Sequence, residues 1–288
     1  MSNSCLDILN QAVSKLRSEG IDRPRTNAEL LLGAVLNAKK IELYLDRDRI
    51  LIRQQIEKFN KFVRERVSGR PLQYIIGSTE FFGLEFQVNE NVLIPRPETE
   101  TLVETVIALL RDCHQPKIVD LGTGSGAIAI SLAKNVTGSS VFATDISPDA
   151  LKVAEENARR NEVEDRIDFL CGDLFEPLKD RKLKGLVDCV ASNPPYVSQE
   201  EFGGLPKEVR DYEPIVALKT DQEGTSFHGK IIENSLDFLK VNGILILEVG
   251  LGQAGQVAEL IRDRKEFKDT EIKKDLGGIE RVVLTRKA

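Results

Sequence analysis

The stretch Lys117-Ile-Val-Asp-Leu-Gly-Thr-Gly-Ser-Gly-Ala-Ile-Ala-Ile130 limits the possible folds of this chain more than any other. An apolar strand runs straight through three alternating glycines into an apolar helix, and only glycine lets backbone N–H groups come close to a ligand at such a helix start. This is the opening of an α/β unit with a parallel sheet. Gly122, Gly124 and Ala127 also satisfy the dinucleotide pattern G-x-G-x-x-G/A, so the loop by itself does not say which nucleoside ligand it cradles.

The following strands carry polar residues at their ends. Ser140-Val-Phe-Ala-Thr-Asp145 ends in a carboxylate at the distance expected for gripping ribose hydroxyls. Ile167-Asp-Phe-Leu-Cys-Gly-Asp173 ends in another, placed to accept from an adenine amino group. Asp145 read alone could also be a strand-end turn former. A fourth apolar run, residues 185–192, leads into Asn193-Pro194-Pro195-Tyr196. In open α/β sheets ligands sit at the carboxyl ends of the strands, and here four successive ends carry ligand-type residues.

Asn193-Pro-Pro-Tyr196 points to a particular chemistry. A conjugated nitrogen is a poor nucleophile until it is held, and an Asn carbonyl plus a backbone carbonyl can each accept one N–H of an NH2 group. Two prolines fix the turn, so the Asn193 side chain and the Pro194 carbonyl keep their directions, and Tyr196 offers an aromatic face. A Pro-Pro turn with Asn193 in an Asx turn explains the same four residues without any ligand.

These segments resemble the release-factor glutamine methyltransferases, the PrmC or HemK family, over nearly the whole chain. The resemblance rests on Leu93-Ile-Pro-Arg-Pro-Glu-Thr-Glu100, Asp120-Leu-Gly-Thr-Gly-Ser-Gly-Ala127, Asp145-Ile-Ser-Pro-Asp-Ala-Leu151 and Ser192-Asn-Pro-Pro-Tyr196. It extends to Glu213-Pro214 with Ala217-Leu218, Leu247-Glu-Val-Gly250 with Gln253, and residues 275–283. It implies a class I methyltransferase of the α/β class: a Rossmann-like, seven-stranded, mostly parallel sheet with an antiparallel edge hairpin and a small N-terminal helical domain.

The implied reaction moves a methyl group from S-adenosylmethionine to the side-chain amide of the glutamine in the Gly-Gly-Gln motif of class I peptide-chain release factors. It is a direct displacement, with the nitrogen in line about 3 Å from the methyl carbon. The resemblance assigns Gly122, Thr123, Gly124, Ser125 and Gly126 to the methionine part of the donor, Asp145 to its ribose, and Asp173 and Leu174 to its adenine. Asn193, Pro194, Pro195 and Tyr196 fall to the glutamine amide, with Asn193 also beside the donor. Family members often carry Trp where Leu174 stands, so either adenine packing is looser here or Phe175 compensates.

The expected domains are a helical recognition domain at 1–75, a linking hairpin at 76–95 and the methyltransferase domain at 96–288. In the first, Leu6, Leu9, Ala12, Val13 and Leu16 recur at helical spacing, and Thr26-x-x-Glu29 reads as a capping box before Leu30-Leu-Leu32. Arg64, Arg66 and Arg70 read as a solvated helix face, with docking of an acidic protein or ribonucleoprotein surface as the alternative. Asn89 to Asn91 form a turn, and Pro97 suits a first helical turn. The glycine-bearing segment 197–229 is either a mobile cover on the peptide groove or a plain surface loop.

Charge and cysteine usage bear on partners. Residues 1–85 carry 14 Lys+Arg against 11 Asp+Glu, and the remainder 26 against 35. That balance disfavours stable binding of bare nucleic acid, which needs clustered cations. It therefore weakens the main alternative, an amino-methyltransferase acting on adenine or guanine. A nicotinamide oxidoreductase leaves Asn193 to Tyr196 unexplained, and a non-catalytic donor-binding scaffold leaves the acceptor pocket without use. Cys5, Cys113, Cys171 and Cys189 are scattered, with only His114 and His228 to join them, so no metal is expected. Cys171 and Cys189 read as small buried side chains. The start at Met1 lacks a basic-then-apolar signal and no run reaches membrane length, so the expected location is cytoplasmic.

Overall fold

The computed structural model describes residues 3–220 and 224–288. Met1 and Ser2, at the start of the expected helical domain, and residues 221–223 of the expected cover lie outside the described residues. The chain forms two compact units, one made of residues up to Ser78 together with Pro206–Tyr212, the other of Thr79–Leu205 and Glu213–Ala288. Residues 206–212 thus belong to the first unit although they lie inside 96–288 in sequence.

The first unit is helical: α1 Cys5–Ser18, α2 Pro24–Leu36, α3 Lys40–Leu45, α4 Arg53–Val67 and α5 Leu72–Ile76. Its core takes Leu9, Leu16, Leu31, Leu32 and Phe59, all at most 1% exposed. Two sequence expectations change here. α2 starts at Pro24, whose fixed φ suits a first helical position, so Thr26 lies inside the first turn and caps nothing. Glu29 instead turns inward, pairing with Lys40 Nζ at 2.8 Å and accepting from the Tyr44 hydroxyl. Arg66 is no solvated side chain either: it donates to Asn27 Oδ1 at 2.8 Å and to the Arg70 carbonyl at 2.9 Å, and pairs with Glu208 at 2.7 Å. Glu208 lies in the short helix Lys207–Tyr212. Arg64 stays exposed as expected.

The second unit opens within the hairpin β1 Ser78–Phe81 and β2 Leu84–Gln87, whose first residue still belongs to the helical unit; a turn follows in which Asn89 Oδ1 accepts from the Asn91 N–H. A 3-10 turn, Pro97–Thr99, leads into α6 Glu100–Leu110. Alternation follows through β3 Lys117–Leu121, α7 Ala127–Asn135, β4 Ser140–Asp145, α8 Pro148–Arg160, β5 Ile167–Cys171 and β6 Val187–Ser192. The chain closes with β7 Leu239–Glu248, β8 Phe267–Lys274 and β9 Glu280–Lys287, after a helix Ser226–Phe238 and around a helix Ala254–Arg262.

The seven strands lie in the order β5-β4-β3-β6-β7-β9-β8 and run parallel except for β9, which pairs antiparallel with β7 and with β8. Side chains alternate across the sheet: Ile118 faces a core with α6 and α7, while Val119 faces one with the helices 226–238 and 254–262. Burial of both faces explains why these strands read as continuous apolar runs. β5 is the edge strand, and there Cys171 is exposed, against expectation, while Leu170 before it is buried; Cys189, in the middle of the sheet, is fully buried. Among the described residues no helix is long and apolar enough to cross a membrane.

Candidate active site

Parallel register brings the ends of β3, β4, β5 and β6 to one edge, with Leu121 opposite both Thr144 and Ser192, and Asp145 opposite Cys171. The strand order reverses at β3, which opens the crevice in which doubly wound sheets take their ligands. One cleft occupies it. Gly122, Gly124, Asp145, Asp173, Leu174, Asn193, Pro194 and Pro195 all line its wall.

The glycine cradle has two layers. Gly122 and Gly124 are left-handed, at φ 69° and 56°, and a Cβ built on either meets nothing within 4 Å, so the space in front of them is open to a ligand. Gly126 has a different task, because its Cβ would stand 2.7 Å from Ile130 Cδ1 and 3.2 Å from Ala154 Cβ. It lets α7 pack against α8. Thr123, Ser125 and Gly126 do not line the cleft. Thr123 donates to Asp120 Oδ2 at 2.7 Å, and the Ser125 carbonyl accepts from Asn157 Nδ2 at 2.9 Å, so they shape the loop from behind.

Asp145 anchors the same loop. Its Oδ2 accepts from the Gly124 N–H at 2.8 Å and its Oδ1 from the Ser147 N–H at 2.9 Å, which leaves lone pairs of both oxygens for hydroxyls of a ligand. Burial raises its pKa, and those N–H bonds oppose the rise. Asp173 is exposed and lines the cleft beside Leu174, a non-glycine residue held at φ 45°. Phe175 stacks on Phe238 at 4.9 Å between ring centres inside the core and does not reach the cleft. Leu174 is therefore the apolar side chain at that wall.

Asp120 is fully buried behind the cradle, accepting from Thr123 Oγ1 and from the Ala129 N–H at 3.1 Å; burial pushes its pKa up to about 7. A carboxyl raised this far above its unfolded value binds its proton more tightly in the native state. Its contribution to stability is therefore present at low pH and lost as pH rises through about 7. Asp120→Asn should gain stability relative to wild type between about pH 4 and 8, by at most about 4 kcal/mol. Ligand-free thermal melts at the two pH values test this, and a pH-independent difference contradicts it.

The acceptor side of the cleft is built by residues far apart in sequence. Asn193 Nδ2 donates to Thr99 Oγ1 at 3.2 Å. Pro194 is buried, and Pro214, Val216, Ala217 and Phe227 close the cleft from the segment expected to be a cover or a loop. That segment contains short helices, among them Gln199–Phe202 and Ile215–Leu218. Glu213 fastens it: this carboxylate, 4% exposed, pairs with Arg96 Nη2 at 2.6 Å and accepts from the Ile94 N–H at 3.3 Å. The motifs at 93–100 and 213–214 are two halves of one clamp.

Tyr196 stands outside the cleft lining, contrary to the expected aromatic face. Gln253 holds it there, donating from Nε2 to its carbonyl at 2.9 Å while Gln253 Oε1 accepts from the Gly250 N–H at 3.0 Å. Burial raises the phenol's pKa, so the hydroxyl stays protonated. Glu248, at the end of β7, and His228 were not singled out as site residues by the sequence. Both are buried, and His228 Nε2 donates to the Glu248 main-chain carbonyl at 2.8 Å, with burial holding the ring neutral.

Two family patterns match this chain, PrmC N-terminal domain over residues 7–77 and Methyltransferase small domain over residues 98–204. Similar proteins include the "Release factor glutamine methyltransferase" of Nitratidesulfovibrio vulgaris, 39% identical over 97% of this chain and 94% of that one. The protein of the same name from Chlorobaculum tepidum is 38% identical over 96% and 95%. Among solved structures, the hMettl16 catalytic domain in complex with MAT2A 3'UTR hairpin 6 has the same fold, with a TM-score of 0.58 at 18% identity over 81% of each chain.

Proposed function

Because this chain belongs to the release factor glutamine methyltransferase family, we infer that it methylates the side-chain amide nitrogen of a glutamine in peptide-chain release factors. The acceptor is the glutamine of the Gly-Gly-Gln motif of class I release factors, and S-adenosylmethionine is the methyl donor. The observation that carries this reading is the Asn193 carboxamide, fixed at the end of β6 in the same cleft as the open Gly122/Gly124 cradle.

The residues present fit such a donor. The cradle leaves room for an amino-acid moiety, Asp145 has free lone pairs for ribose hydroxyls, and Asp173 with Leu174 offers an acceptor and an apolar surface for a base. The donor supplies an electrophilic methyl group. The protein supplies the nucleophile's orientation: Asn193 Oδ1 and the Pro194 carbonyl each accept one N–H of the glutamine amide, which holds the nitrogen lone pair clear and favours the charge that develops on it. Pro214, Val216 and Ala217 shield that amide from water, and the Arg96–Glu213 clamp keeps them in place.

Methyl-labelled donor, incubated with a class I release factor and separately with total RNA, tests the reading. Label is expected in the release factor alone. Label only in RNA overturns the protein acceptor.

A further inference from the structure

Asn193 is useful as an acceptor only if its oxygen, and not its NH2 group, faces the substrate amide. A carboxamide is nearly symmetric in shape, so packing alone does not choose between the two orientations. A chain of hydrogen bonds behind it does. Asn193 Nδ2 donates to Thr99 Oγ1 at 3.2 Å, and the Thr99 hydroxyl lies within reach of the Glu248 carboxyl, whose pKa it lowers. Thr99 is 4% exposed and Glu248 1% exposed, and Glu248 Oε2 has no hydrogen-bonding partner among the described residues.

A hydroxyl has one proton to give. An ionised Glu248 can only accept, so Thr99 gives that proton to Glu248 and turns a lone pair toward Asn193. Only the NH2 end of Asn193 satisfies that lone pair, which leaves Oδ1 as the unengaged end, in the cleft. With a proton on Glu248 the direction can reverse: Glu248 donates to Thr99, Thr99 donates onward to Oδ1, and the NH2 end is presented to another NH2.

We propose that Thr99 and Glu248 are positioning residues that set the acceptor end of Asn193 toward the substrate, and that they do so while Glu248 is ionised. This rests on the reading of the cleft as a glutamine-amide site. The groups around Glu248 make its ionisation responsive near neutrality. Burial pushes its pKa up to about 7 and Glu98 adds to the rise, while the Thr99 hydroxyl, Arg281 of β9 and Arg96 oppose it. Arg281 is itself shared with Asp275, at 3.4 Å. Neutral His228 and protonated Tyr196 add no charge there.

The test is kcat at saturating donor and release factor, across about pH 6 to 8. Thr99→Val, which keeps shape and loses the hydroxyl, should lower kcat about 100-fold with donor affinity unchanged, and Thr99→Ser should recover most of it. Wild type should lose activity as pH falls through about 7, and Glu248→Gln should flatten that limb. Wild-type turnover in Thr99→Val, no recovery in Thr99→Ser, or an unchanged acid limb in Glu248→Gln each overturns the inference. Asn193→Ala separates the two levels. If it is inactive while the Thr99 variants behave like wild type, the cleft reading stands and the positioning inference fails; if it is fully active, the cleft reading itself fails.

Discussion

Asn193→Ala should lower kcat by roughly 100-fold or more at saturating donor, the loss typical of removing one preorganised transition-state contact. The expectation comes from the small number of acceptors at the end of β6. Pro194 and Pro195 lack N–H groups and offer only carbonyls, and Ser192 spends its hydroxyl on the Leu121 carbonyl at 2.8 Å. Asn193 is thus the one side chain of the turn with a carbonyl in the cleft. Its removal leaves the Gly122/Gly124 cradle and Asp145 untouched, so donor affinity should hold. Calorimetry for the donor together with steady-state rates checks both halves, and near-wild-type turnover would falsify the assignment of Asn193.

Asp145→Ala should act in the opposite way, weakening donor binding about 10- to 100-fold with a far smaller change in maximal rate, as expected for loss of charge-assisted hydrogen bonds. Two effects add. The substitution removes the lone pairs available to ribose hydroxyls, and it frees the Gly124 and Ser147 N–H groups, which loosens the cradle. Titration calorimetry showing unchanged donor affinity contradicts this account of β4.

The parts of this site that the sequence revealed are those written into a single strand end. An apolar strand followed by Gly122 and Gly124, or by Asp145, or by Asn193-Pro194, carries its chemistry within a few residues, and parallel register then brings the ends together. The parts it concealed are pairings across the fold. Thr99 and Asn193 are 94 residues apart, and Arg96 and Glu213 are 117 apart, so neither pattern shows that one motif holds the other. An acidic residue closing an apolar strand was the available signal for Glu248, as it was for Asp145. Local rules also misled where tertiary context prevailed: Thr26-x-x-Glu29 has the letters of a cap, but Pro24 starts the helix earlier and Lys40 and Tyr44 claim Glu29. Cys171 looks buried from its apolar neighbours, yet it lies at the end of an edge strand.

The side-chain clamps also explain what the motif at 93–100 does outside the sheet. Leu93 to Glu100 contributes little to the apolar core. It supplies the Ile94 N–H and Arg96 to Glu213, Thr99 to Asn193, and Glu100 to the Phe82 N–H at 2.8 Å. One segment thereby ties together the β1–β2 hairpin, the acceptor turn and the strap at 213–218.

The most direct measurement is fragmentation mass spectrometry of a class I release factor after incubation with this protein and S-adenosylmethionine. The account predicts a single added methyl group on the side chain of the Gly-Gly-Gln glutamine, absent when Asn193→Ala replaces the wild-type enzyme. A methyl group on any other residue, or on that glutamine at the same rate with Asn193→Ala, contradicts it.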